Sequence, residues 1–326
     1  LSPDELIELI KTKYLISFKN KNQIEETKKF LDFFSYRKFQ PFIKQNKGEN
    51  IDFAFELYHL DETIRVNLAR ILPPIENYIK HNLTKTILAY SKKCDCTPER
   101  ISFAYEHYNT FLCRSTQEDI NGEENYNEWI SQTVENLINY SSSDTSISQA
   151  FKKYNGNIPI WLTLDKVTFG SASKLLTVLN KELSKDCGSN IFKTDTPSPN
   201  NKPKATSIFE LTRAIVILRN KVSHSANIVF KNHLVLSKKQ FSEDDIKSLL
   251  PDNIDSQFKK ENEQKLSASL FWSLLAVKYF YIGLPNKYHN LWISFLGELK
   301  DFPSLIVTET AFCFPANRYD ILFINV

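Results

Sequence analysis

Phe53, Leu57, Leu60, Ile64, Leu68 and Ile71 recur at steps of four or three through IDFAFELYHLDETIRVNLARIL. That spacing gathers the six on one stripe of an α-helix but scatters them over both faces of a strand. A helix with one buried face is therefore predicted from about 51 to 72. Seven glycines in 326 residues, well under the usual ~7%, argue against a fold made of many tight turns and for long helices throughout. The predicted class is all-α. With 42% hydrophobic and 24% charged residues, the chain reads as globular and long enough to bury a real core, as one large domain or two.

Pro73-Pro74 should kink or restart that helix, because each proline lacks the N–H that would bond one turn back. IENYIKHNLTKTILAY then carries it to about 90. Asp61 and Arg65 lie one turn apart beside the stripe, and Glu76 falls about 20° from Arg65 around the axis. If the prolines leave the rotation unchanged, Asp61, Arg65 and Glu76 line one polar ridge. Asp61–Arg65 also suits a purely structural pair.

Residues 1–48 read as an N-terminal helical, basic segment. SPDELIELIKTKYL opens with Ser2 as N-cap, Pro3 in the first helical position and Glu5 completing a capping box. The amphipathic stretch NQIEETKKFLDFFSYRKF follows, ending at QNKGEN. Residues 49–235 form the predicted core domain. Within it SSSDTSIS (141–148) reads as a loop, and NIPIWLTLDKVTFGSASKLLTVLNKEL (157–183) as a helix with a break permitted by Gly170. Trp161 and Phe169 read as core rather than as base-stacking rings. KTDTPSPNNKPKATS (193–207) reads as a mobile linker. Residues 236–326 read as a C-terminal helical addition with a tail, LIVTETAFCFPANRYDILFINV, that suits extended structure.

The stretch ILRNKVSHSAN (217–227) carries the most chemistry. On a helix begun near Phe209, Leu211, Ile215, Leu218 and Val222 form a core stripe, while Ser223, Asn220 and His224 fall about 40°, 100° and 140° from Arg219. The polar four occupy a neighbouring arc that suits an interface. This set fits RNA cleavage. Attack of a ribose 2′-OH on the adjacent phosphorus needs a group that moves protons near neutral pH, which histidine supplies. It also needs a fixed cation for the charge on the phosphorane oxygens, for which the arginine fork is suited. Asn220 can bond the imidazole or the phosphate. One motif holds one histidine, so two copies meeting across a dimer axis would complete an acid–base set. The polar end of an ordinary helix is the plainer alternative.

Net charge is +3, but residues 11–47 hold ten basic side chains against Glu25, Glu26 and Asp32. Lys28, Lys29, Arg37 and Lys38 are the candidates there for contact with RNA, a solvated helix face being the alternative. Five scattered cysteines lack zinc spacing and read as reduced thiols in a cytoplasm. His59, His81, His107, His233 and His289 have no partners at ligand spacing and read as surface or internally satisfied. Neither a metal nor another cofactor is expected, and no apolar run reaches the ~18 residues of a membrane span.

RNKVSH resembles the Arg-x4–6-His signature of the HEPN superfamily of helical ribonucleases, and further stretches narrow the likeness. FELYHLDETIRVNLARILPPIENYIKHNL (55–83), PIWLTLDKVTFGSASKLLTVL (159–179) and FFSYRKFQPF (33–42) are similar, in order, to segments of the Abi-like abortive-infection proteins. The resemblance implies a HEPN-type helical bundle acting as a homodimeric, metal-independent endoribonuclease in phage defence. It gives Arg219 and His224 the active-site roles and Asn220 that of polar neighbour, with Asp61, Arg65 and Glu76 at the family's polar positions; Ser223, on the polar arc of the motif helix, is a further supporting candidate. Control by a small noncoding RNA is implied for some members; a non-catalytic RNA-binding or antitoxin-type module is the alternative.

Overall fold

A computed structural model describes residues 1–93, 128–193 apart from a few positions, 203–229 apart from 204, 269–301 and 318–322. Every named element is a helix, so the all-α class holds. The first three are α1 (Pro3–Tyr14), α2 (Lys21–Phe33) and α3 (Tyr36–Gln45). The capping box closes as expected: Ser2 Oγ accepts the Glu5 N–H and Glu5 Oε2 accepts the Ser2 N–H. Gly48, at φ +88°, turns the chain into the next helix where a side chain would be strained.

That helix, α4 (Ile51–Lys93), is the axis of the fold and runs through Pro73-Pro74 without interruption. The expected restart does not occur, for a geometric reason. Pro73 is exposed and Pro74 half-buried, while Ala69 and Arg70, whose carbonyls lose their N–H partners, are both exposed residues, where water can take the place of those partners. On the opposite side Leu68, Ile71, Leu72, Ile75 and Ile79 stay fully packed. The stripe is buried from Leu57 to Ile71, whereas Phe53 is partly exposed because Ile51 and Ala54 take the core-facing positions at the start.

Next come α5 (Thr145–Lys153), α6 (Ile160–Lys166), α7 (Phe169–Val178) and α8 (Lys181–Phe192). The predicted loop at 141–148 is in part the start of α5. Asp144 accepts the N–H groups of Ser146 and Ile147, and Lys166 pairs with it at 2.7 Å. Gly170 sits inside α7, so the break falls earlier, at Val167–Thr168, where the Thr168 hydroxyl caps α7 by accepting the Ser171 N–H. Phe169 is core, but Trp161 is partly exposed. Ile160 and Leu164 share the buried face of α6, and Trp161 projects about 100° away from it.

Of the predicted linker, residues 194–202 and 204 lie outside the described residues; its end is the 3-10 turn Ala205–Ser207, leading into α9 (Ile208–Ser223). Beyond it are α10 (Leu270–Gly283), α11 (Asn286–Lys300) and α12 (Arg318–Leu322). Nearly every residue of α10 is buried, as expected of a helix apolar all round. It packs on α9, α8, α4 and α11, while α4 also touches α3, α6, α8, α9 and α11. The tail is helical at 318–322 rather than extended, because Ile321 and Leu322 are buried and the Trp292 indole donates to the Leu322 carbonyl. The rest of the tail lies outside the described residues. Among those described, no helix is long and apolar enough to cross a membrane.

Candidate active site

Helix α9 is a helix because Leu211, Ala214, Ile215 and Leu218 repeat on one face, all at most 1% exposed. Val222 is half-buried at its end. The helix stops in a doubly bonded turn. Ala226 N–H donates to the Lys221 carbonyl and Ser225 N–H to that of Val222, with Ser225 in the left-handed position at φ 50°. This is the Schellman arrangement, with serine where glycine is the usual choice. His224 is the C-cap, its N–H bonded to the Asn220 carbonyl at 3.0 Å. Its side chain is exposed.

The turn is held from outside as well. Asp61, 1% exposed, accepts the N–H of Ile228 at 2.6 Å and of Val229 at 3.1 Å through Oδ1. Arg65 Nε donates to Oδ2 at 3.0 Å. Burial raises the Asp61 pKa, against the opposing pull of the two N–H groups and Arg65. The Asp61–Arg65 pair thus fixes the segment that follows His224.

Glu76 makes the second attachment. Its Oε2 stands 3.6 Å from Arg219 Nε and its Oε1 3.0 Å from Lys80 Nζ, the carboxylate side chain being 17% exposed. Lys80 Nζ also donates to the Val167 carbonyl at 2.7 Å. One chain of charges therefore joins α9, α4 and the bend between α6 and α7. Lys80 escaped the sequence reading, and its only signal there was its position one turn beyond Glu76.

The expected single ridge resolves into two stations on α4, 15 residues or ~22 Å of helix apart. Since Arg219 meets the later station and Ile228 the earlier, the motif segment runs antiparallel to α4. His224 lies between the two fixed points. The Asn220 amide oxygen accepts from Arg219 Nη1 at 3.4 Å, so this side chain turns to the guanidinium rather than to the imidazole. Ser223 is exposed at the helix end. Arg219, 40% exposed, keeps guanidinium N–H groups that have no partner among the described residues, and the side chain of His224, five residues on, is exposed. A fixed cation and an accessible proton carrier are what an incoming phosphodiester requires.

The N-terminal candidates lie elsewhere. Lys28 is held by Asp4 at 2.7 Å and Glu25 at 2.8 Å, contacts that raise its pKa, whereas Lys29, Arg37 and Lys38 are exposed. Of the other histidines, His59 and His81 are exposed, and buried His289 meets the Tyr281 carbonyl through Nε2 at 2.8 Å. Its Nδ1 has no partner among the described residues; His107 and His233 lie outside them. Cys187 is a buried free thiol pushed up to about 12 by desolvation; the remaining cysteines lie outside.

No curated protein and no solved structure matches this chain. The sequence profile of the Abi-like protein family matches residues 12–229, two thirds of the chain, and spans both stations on α4 together with the whole of α9 and its closing turn. The chain therefore belongs to the Abi-like protein family.

Proposed function

We propose that this protein is a HEPN-type endoribonuclease acting in abortive infection, the process for which its family is named. The reading rests chiefly on one observation: Arg219 is clamped by Glu76 and Asn220 while its outward N–H groups, and His224 five residues on, stay open to solvent. In the proposed step a ribose 2′-oxygen attacks the neighbouring phosphorus and loses its proton to a base, and the 5′-oxygen leaves with a proton from an acid. The products are a 2′,3′-cyclic phosphate and a 5′-hydroxyl. Imidazole groups move both protons, one from His224 of each copy in a homodimer, and Arg219 balances charge on the non-bridging oxygens.

The test is cleavage of single-stranded RNA in EDTA, with the ends identified. The wild type should leave cyclic phosphate ends, and His224→Ala should lose cleavage by ~100-fold or more. Full activity in that variant, or a cleavage that EDTA abolishes, would overturn the assignment. RNA retained but never cut would favour a binding module.

A further inference from the structure

The corner between α2 and α3 carries an aromatic surface that the fold does not use. Phe33 is 87% exposed and Phe34, next to it, 44% exposed. Phe34 is no loose side chain. Its ring stacks on Phe30 with centroids 4.6 Å apart, and Phe30 in turn meets Phe39, Phe55 and Tyr58 edge-on at 4.9, 5.1 and 5.4 Å. Phe39 is fully buried. The shelf is therefore anchored in the core and rigid, with one bare ring at its rim.

Cations flank that rim along the chain. Lys29 lies four residues before Phe33 on the same face of α2, and Arg37 and Lys38 fall in the first turn of α3. All three are exposed, and no ion pair forms on them among the described residues. Asp32 is the one carboxylate between residues 27 and 38. These charges do not serve the helix they begin. Positive side chains in a first turn oppose the helix dipole, that turn has no acidic residue, and the Ser35 hydroxyl makes no cap bond.

We propose that Phe33 and Phe34, with Lys29, Arg37 and Lys38, form a docking surface for an unpaired stretch of RNA. Exposed rings stack on bases only when those bases are splayed from a duplex, and nearby cations then meet the phosphates on either side. Charge complementarity selects a polyanion, and the bare ring selects one with flat apolar faces. Tyr58, in the shelf, precedes Asp61 by one turn of α4, and Asp61 in turn holds the segment that follows His224. The choice of RNA rests on the ribonuclease reading; the surface itself does not.

A fluorescent 2′-O-methyl oligouridine of about 16 nucleotides, which lacks the attacking hydroxyl and cannot be cut, separates the two in a binding titration on the full chain. Phe33→Ala should weaken binding roughly tenfold and Phe33→Trp should restore it. Arg37→Ala with Lys38→Ala should lower the slope of log affinity against log salt by about 1.4. A methylated duplex of the same length should bind without sensitivity to residue 33. No binding by the wild type, or unchanged binding by Phe33→Ala, overturns the proposal. So does a Phe33→Ala protein that keeps RNA binding but falls from dimer to monomer, since the face would then join copies of the chain. Because the methylated strand cannot be cut, loss of docking is read independently of loss of cleavage.

Discussion

The carboxylate of Asp61 accepts the backbone N–H of Ile228 at 2.6 Å, tying together points 167 residues apart. Ile228 follows Ser225, a non-glycine residue in the left-handed region, so the bond holds a mildly strained turn beside His224. Removing the carboxylate leaves two buried N–H groups and the Arg65 guanidinium without their acceptor. Asp61→Ala should cost about 3 kcal/mol in denaturant unfolding. Asp61→Asn keeps an acceptor for the N–H groups and should cost about half of that. Equal stability of wild type and Asp61→Ala would show that the turn does not depend on this clamp.

Glu76 acts on Arg219 rather than on the fold as a whole. The pair is partly exposed and 3.6 Å apart, so its loss should change stability by under about 1 kcal/mol. Orientation is another matter, because small displacements of a catalytic cation are costly to rate. Glu76→Gln should lower RNA cleavage roughly 10- to 100-fold with an unfolding midpoint close to wild type. A large loss of stability with unaltered cleavage by the surviving folded fraction would reverse these roles.

Local signals in the sequence were legible because their partners are close by. The Ser2–Glu5 box, the buried stripe from Leu57 to Ile71 and the start of the motif helix each depend on residues within a few turns. The misreadings share a cause. Pro73-Pro74 signals a break only when the freed carbonyls are denied water, and solvent exposure at Ala69 and Arg70 depends on the packed fold. Gly170 suggested a break that the Thr168 cap makes two residues earlier. Lys80 donating to the Val167 carbonyl, and Asp61 accepting from Ile228, are bonds across 87 and 167 residues. No local pattern encodes such partners. The resemblance marked Asp61 and Glu76 as worth attention, and the folded chain shows what each one holds.

Gly188 sets where the motif helix begins. A Cβ built there would lie 2.0 Å from the Ala205 carbonyl oxygen, in the 3-10 turn that leads into α9. The atoms it would meet, the O, C and Cα of Ala205, are all backbone, so one segment must move. Gly188→Ala should therefore destabilise by about 2–3 kcal/mol, despite the better helix propensity of alanine. Cleavage should fall as well, since α9 shifts against Glu76. Gly297, whose added Cβ meets nothing within 4 Å, is the control: Gly297→Ala should be neutral or stabilising by up to ~1 kcal/mol. Matching losses at the two positions would mean that helix packing is looser than the contact distances imply.

Lys278 gives the fold a pH dependence whose sign follows from its surroundings. It lies in the apolar helix α10, 7% exposed, and its ammonium donates to the Ile321 carbonyl. Burial lowers its pKa to about 8, whereas an unfolded lysine titrates near ~10.4. Between those values the unfolded chain binds more protons than the folded one, so stability must rise with pH. The full effect is about 3 kcal/mol. Above pH ~8.5 the climb is opposed, first by the Cys187 thiol and then by the phenols of Tyr279 and Tyr281, whose pKa values burial raises so that the folded state holds more protons. Urea midpoints should accordingly climb from pH 7 to about 8.5 and flatten beyond it. Lys278→Met removes the buried charge at the cost of one bond to Ile321, for a net gain of about 1–2 kcal/mol at pH 7. That variant should also lose the climb; a wild-type midpoint that stays flat or falls over the same range would contradict the burial of this charge.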